Sequence, residues 1–89
     1  MREVVYTQSF AADLAQVWSG RVLDELDRRL ASIESFPLMG SSDVRPTLVE
    51  RFGSGLRKLP IAGYVIVYRY SEREDRLEFL ALPHSRAID

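Results

Sequence analysis

Histidine is the one side-chain type in this sequence with an ordinary pKa near neutrality, and His84 is its sole copy, so general acid–base chemistry would have to begin there. Arg86 follows two residues later and shares a face with His84 if the chain runs on as a strand. Arg57, Lys58 and Arg69 fall in segments that read as neighbouring strands. Brought together, these five side chains would make a basic patch around one imidazole, suited to a phosphate-rich or acidic target. A plainer alternative stands beside that one. His84 would hold a strand end through a backbone hydrogen bond, with the arginines solvated.

Other chemistries are excluded by residue type. There is no cysteine, so disulfides, thiolate metal sites and thiol catalysis are absent, and one histidine cannot build a multi-histidine centre. No metal and no cofactor are expected. Gly53-Ser54-Gly55 lacks the lysine and the following helix of a phosphate loop, and no GxSxG, HExxH or EF-hand pattern occurs. Asp24, Glu25 and Asp27 belong to the polar face of a helix and do not read as an acid–base pair.

The elements that would carry these residues follow from periodicity. Val4-Val5-Tyr6-Thr7 is β-branched and aromatic and reads as a short strand. Ser9 offers a cap for a first helix over 10–18, with Phe10, Leu14, Val17 and Trp18 at helical spacing. Ser19-Gly20 interrupts it. From Arg21, the positions Leu23, Leu26, Leu30 and Ile33 repeat at three- and four-residue steps between charged residues, an amphipathic helix that Pro37 should stop near Phe36. The two helices make a hairpin.

Residues 37–46 read as a loop. Leu48 to Phe52 reads as the start of a strand that Gly53-Ser54-Gly55 breaks and Leu56 to Pro60 resumes. Tyr64 to Tyr70 is the clearest strand, and a polar turn at Ser71–Asp75 joins it to a last strand over Arg76–Leu82. Alternation puts Tyr64, Ile66, Tyr68 and Tyr70 on one face and Val65, Val67 and Arg69 on the other. One face must cover the helices. The other is either buried too or left as a partly open apolar surface fit to bind another chain. The expected fold is α+β in two layers, order β-α-α-β-β-β, with the N-terminal strand and helical hairpin on a small, mostly antiparallel sheet.

Eighty-nine residues allow one domain, 1–89, with a modest core that a partner chain would help to stabilise. With 46% hydrophobic residues and a net charge of −1, the chain is not of the disordered class. The charge is uneven. Residues 45–70 hold five basic residues against Glu50 alone, whereas the flanking segments are acidic. No apolar core of signal-peptide length opens the sequence, and its longest apolar-rich run, Leu59 to Tyr68, is about ten residues, too short to span a bilayer. A cytoplasmic protein with no membrane partner is expected.

Four segments resemble the RelE/ParE superfamily, the toxic halves of bacterial type II toxin–antitoxin pairs. They are Ile33 to Gly40 with its Pro37-x-x-Gly40 ending, Gly55 to Pro60, Gly63 to Arg69, and Leu77 to Arg86. Their order covers nearly the whole chain. The resemblance implies a cognate antitoxin that wraps an extended or helical segment around the toxin. It would bury apolar side chains between the hairpin and the sheet or on the open sheet face, where Leu23, Leu30, Val65 and Val67 are the candidate contacts.

Two branches differ in target. RelE-like members cleave messenger RNA on the ribosome, which needs a group to activate the 2′-hydroxyl and charge on the developing phosphorane. Lys58, His84 and Arg86 would be the candidates, but valine stands at Val65, where those nucleases carry a basic residue, and no tyrosine follows Arg86. ParE-like members bind and poison DNA gyrase without chemistry of their own, and their ending resembles His84-Ser85-Arg86 with Asp89 as the nearby acid. The ParE-like branch is preferred, with Arg57, Lys58, Arg69, His84 and Arg86 as target contacts. The alternatives are the ribosome-dependent nuclease and a superfamily member that has lost toxicity but keeps antitoxin binding.

Overall fold

The computed structural model describes residues 2–88, with side chains through Arg86. Asp89, the acid of the C-terminal motif, lies outside the described residues. The chain runs β1 (Glu3–Tyr6), α1 (Gln8–Leu14), α2 (Gly20–Ser35), α3 (Pro46–Phe52), β2 (Leu56–Ile61), β3 (Tyr64–Ser71), β4 (Arg76–Ala81) and a short 3-10 helix, Ser85–Ile88. The four strands form one sheet in the order β1-β4-β3-β2. β1 lies parallel to β4, and the other pairs are antiparallel.

Local chemistry sets the helix ends. Thr7 caps α1, its hydroxyl accepting from the Phe10 amide at 3.3 Å. Ser9, expected as the cap, instead donates to the Leu80 carbonyl and ties α1 to β4. α1 stops at Leu14, four residues short of the expected end, and Trp18 is 91% exposed. Its spacing from Phe10 mimicked a helical core position that the chain does not use. α2 begins where Ser19 caps the Val22 amide and ends at Phe36, before Pro37. It turns Leu26, Leu30 and Ile33 inward.

Residues 48–52 form the end of a third helix rather than a strand. Arg45 is extended, Pro46 sits in the first turn where its missing N–H costs nothing, and Gly53 ends the helix at φ +90°. Leu48 and Phe52, four residues apart, then face the same way, and both pack on the sheet. The short apolar run fits either period, and the flanking proline and glycine decide it.

This helix closes the second face of the sheet. One core holds Phe10, Val17, Leu26, Leu30 and Ile33 from the hairpin side against Ile61, Ile66, Tyr68, Leu77 and Phe79. The opposite core holds Leu48 over Leu56, Val65, Val67, Leu80 and Ala81. Val65 and Val67 are therefore 3% and 0% exposed, so of the two alternatives for this face it is the buried one that holds.

Candidate functional site

The strand register decides where the five candidate basic residues go. Arg57 pairs with Tyr68, whereas Lys58 pairs with Val67 and Arg69 with Leu56. Paired residues share a face, so Arg57 lies on the hairpin side and Lys58 and Arg69 on the α3 side. His84 is bridged to Tyr64, the first residue of β3 and four residues before Arg57's partner, and its ring stacks on the Tyr64 ring at 4.4 Å. Arg86 sits in the 3-10 helix, because β4 ends at Ala81 instead of continuing through the motif. The structure does not bring the five together.

Two of the guanidinium groups are engaged by the fold itself. Arg57 donates to the carbonyls of Gly40 at 2.7 Å and Leu38 at 3.3 Å. Arg69 donates to the carbonyl of Phe52 at 2.8 Å, and its Nε lies 3.3 Å from a Glu78 carboxylate oxygen. It thereby ties the end of α3 to the sheet. Among the described residues, the side chains of Lys58 and Arg86 have no hydrogen-bonded or ionic partner.

The Pro37-Leu38-Met39-Gly40 segment is held by a buried phenol. The Tyr68 hydroxyl donates to the Pro37 carbonyl and accepts from the Gly40 amide, each at 2.8 Å. Burial pushes the Tyr68 phenol up, against the opposing pull of the Gly40 N–H and the Arg57 guanidinium. A Cβ on Gly40 would lie 2.5 Å from that hydroxyl oxygen, so glycine is required for close approach. Ser41 then exchanges both backbone hydrogen bonds with Lys58, covering part of the β2 edge.

Of the four candidate antitoxin contacts, Leu30, Val65 and Val67 are buried in the two cores and Leu23 is partly buried against the first. Among the described residues, the exposed large apolar side chains are others: Tyr6, Trp18, Phe36, Leu38, Met39 and Val49. Three of these, Phe36, Leu38 and Met39, leave α2 on the loop that Tyr68 pins. Sequence reading missed them because they lie off the helical period in a segment read as linker.

A small pocket opens beside His84, lined by Asp13, Gln16, Tyr64, Leu82, Pro83 and His84. Asp13 and Gln16 were not candidates from sequence, although Asp13 follows the buried Phe10 by three residues and so borders the inward face of α1. No group of three or more potential metal ligands is clustered among the described residues. No described helix is long and apolar enough to cross a membrane.

The comparisons with known proteins agree with this architecture. The model of the family described as "ParE toxin of type II toxin-antitoxin system, parDE" matches residues 4–88. The chain is also similar in fold to a solved chain of the toxin–antitoxin complex RelBE2 from Mycobacterium tuberculosis. That match has a TM-score of 0.72 and 19% sequence identity, over 93% of this chain and 96% of that one. No curated protein matches by sequence.

Proposed function

The chain belongs to the ParE toxin family of type II toxin–antitoxin systems, and on that premise we propose that it arrests growth by binding and poisoning DNA gyrase, until a cognate antitoxin neutralises it. The observation that carries the target is the dispersal of the nuclease candidates. Lys58 lies on the α3 side of the sheet, whereas His84, with Arg86 two residues on, is bridged to Tyr64 at the start of β3, whose side chain packs on the hairpin side. RNA cleavage needs a proton-transfer group and charge converging on one phosphate. A binding role fits such separation, since contacts to a large partner can be spread over a surface.

Lys58, His84 and Arg86 are then the target contacts with side chains free to engage, and Arg57 and Arg69 act through the segments they hold. The antitoxin part of the proposal is supported by the family and by the fold match to a chain solved within a toxin–antitoxin complex. Phe36, Leu38 and Met39 are exposed to a segment that buries apolar side chains, whereas Val65 and Val67 are covered in the core beneath α3.

The test in cells is induction without antitoxin, following labelled thymidine and labelled amino-acid incorporation over the first minutes. Thymidine incorporation should fall first, with a DNA-damage response. An earlier collapse of amino-acid incorporation would instead support the ribosome-dependent nuclease, and unimpaired growth with folded protein present would mean that toxicity has been lost.

A further inference from the structure

We propose that the pocket beside His84 is a receptor for a guanidinium group, presented as an arginine side chain by a partner protein. The pocket has a volume of about 170 Å³. That is below the roughly 300–1,000 Å³ of pockets that enclose drug-sized ligands, and it suits a side-chain head and part of its stem. Pro83 supplies apolar surface, and the buried Leu82 closes the floor behind it. The stacked rings of His84 and Tyr64, inclined at 28°, form an aromatic wall.

Asp13 supplies the selectivity. One of its carboxylate oxygens accepts from the Leu82 amide at 2.8 Å, which fixes the side chain at the end of β4. Among the described residues the other oxygen has no hydrogen-bond partner and the carboxylate has no paired cation. An asparagine carbonyl could also accept from Leu82, more weakly, so the hydrogen bond by itself does not require a charge. Among the described residues that line the pocket, Asp13 is the only carboxylate. Gln16, exposed in the turn that follows α1, adds an amide carbonyl.

A guanidinium group matches these features together. It is planar and weakly hydrated, lies against aromatic and apolar surface, and donates from its edge to a carboxylate and a neighbouring carbonyl. An ammonium group, compact and strongly hydrated, uses the aromatic wall less well. The chain's own nearby cation, Arg86, does not pair with Asp13. The pocket shares His84 with the proposed target contacts, but its preference for a guanidinium group does not rest on which target they meet.

The test is an NMR titration of the isotope-labelled full-length chain with N-acetyl-arginine N-methylamide, a capped residue that mimics arginine within a polypeptide. Saturable shifts are expected at Tyr64, Leu82 and His84, with a Kd on the order of millimolar for one isolated side chain. The neutral isostere N-acetyl-citrulline N-methylamide should bind at least tenfold more weakly, as should the arginine probe to Asp13→Asn. Equal binding of the citrulline probe, unchanged binding to the variant, or no saturable shift at the three positions would overturn the proposal. Binding of free L-arginine but not the capped residue would also overturn it, because the pocket would then take a small molecule. The citrulline arm needs no variant, so it decides the matter even if Asp13→Asn does not fold.

Discussion

The Tyr68 hydroxyl shows how much one buried polar atom can organise. It has no access to water, yet both of its hydrogen-bonding functions are used, one by Pro37 and one by Gly40, so the loop after α2 is clamped to the sheet. Tyr68→Phe leaves a buried carbonyl and a buried amide unpaired, and should cost about 2 kcal/mol in denaturant unfolding. Gly40→Ala forces a methyl against the same hydroxyl and should cost about 1–3 kcal/mol. Asp75 behaves differently, because its partners are accessible to solvent. A hydrogen bond from Arg2, at 2.8 Å, and then one from the Tyr70 phenol, at 2.7 Å, hold its carboxyl below the usual carboxylate range. Its folded pKa is depressed, so its contribution is complete above the ordinary carboxylate value of about 3.9 and disappears as pH falls through the folded value. The stability gap between wild type and Asp75→Asn should therefore close on acidification below about pH 4. A gap that stayed constant would assign Asp75 a role independent of its charge.

At the scale of elements, α3 changes the meaning of the strands beneath it. Seven residues make a helix too short to persist alone, and its place is set by Leu48 and Phe52 on the sheet and by Arg69 at its end. Leu48→Ala should lower stability by about 2–4 kcal/mol, because the cavity opens over Val65 and Val67. Loss of less than 1 kcal/mol would mean that α3 contributes little to the second core. The hairpin and the three C-terminal strands were legible in the sequence because their periods are long and unbroken, as in Leu23 to Ile33 and Tyr64 to Tyr70. α3 was not, since Leu48 to Phe52 is short enough to satisfy either period, and the proline ahead of it was assigned to the loop. Whether the valine face is covered or open stayed undecided for the same reason. The basic residues were legible as a set but not as a site. Their grouping requires knowing that β4 ends at Ala81 and that Arg57 and Lys58 alternate across the sheet.

For the whole molecule, the basic segment 45–70 is used largely for internal fastening. Arg57 and Arg69 hold loops and α3, whereas Lys58 and Arg86 have side chains without partners among the described residues. The two groups should separate on substitution. Arg57→Ala and Arg69→Ala should each destabilise by about 1.5–3 kcal/mol through lost charged hydrogen bonds, while Lys58→Ala and Arg86→Ala should stay within about 0.5 kcal/mol in stability and weaken growth inhibition instead. Equal losses of stability in both groups would contradict this division. A sheet closed on both faces also means that recognition must use edges, loops and the exposed apolar residues around Phe36. The most direct measurement adds the purified chain to purified DNA gyrase, relaxed plasmid and ATP, with a reconstituted translation reaction run beside it. Gyrase poisoning predicts loss of supercoiling and accumulation of cleaved plasmid, with translation unaffected. Intact supercoiling alongside cleaved messenger RNA would contradict it.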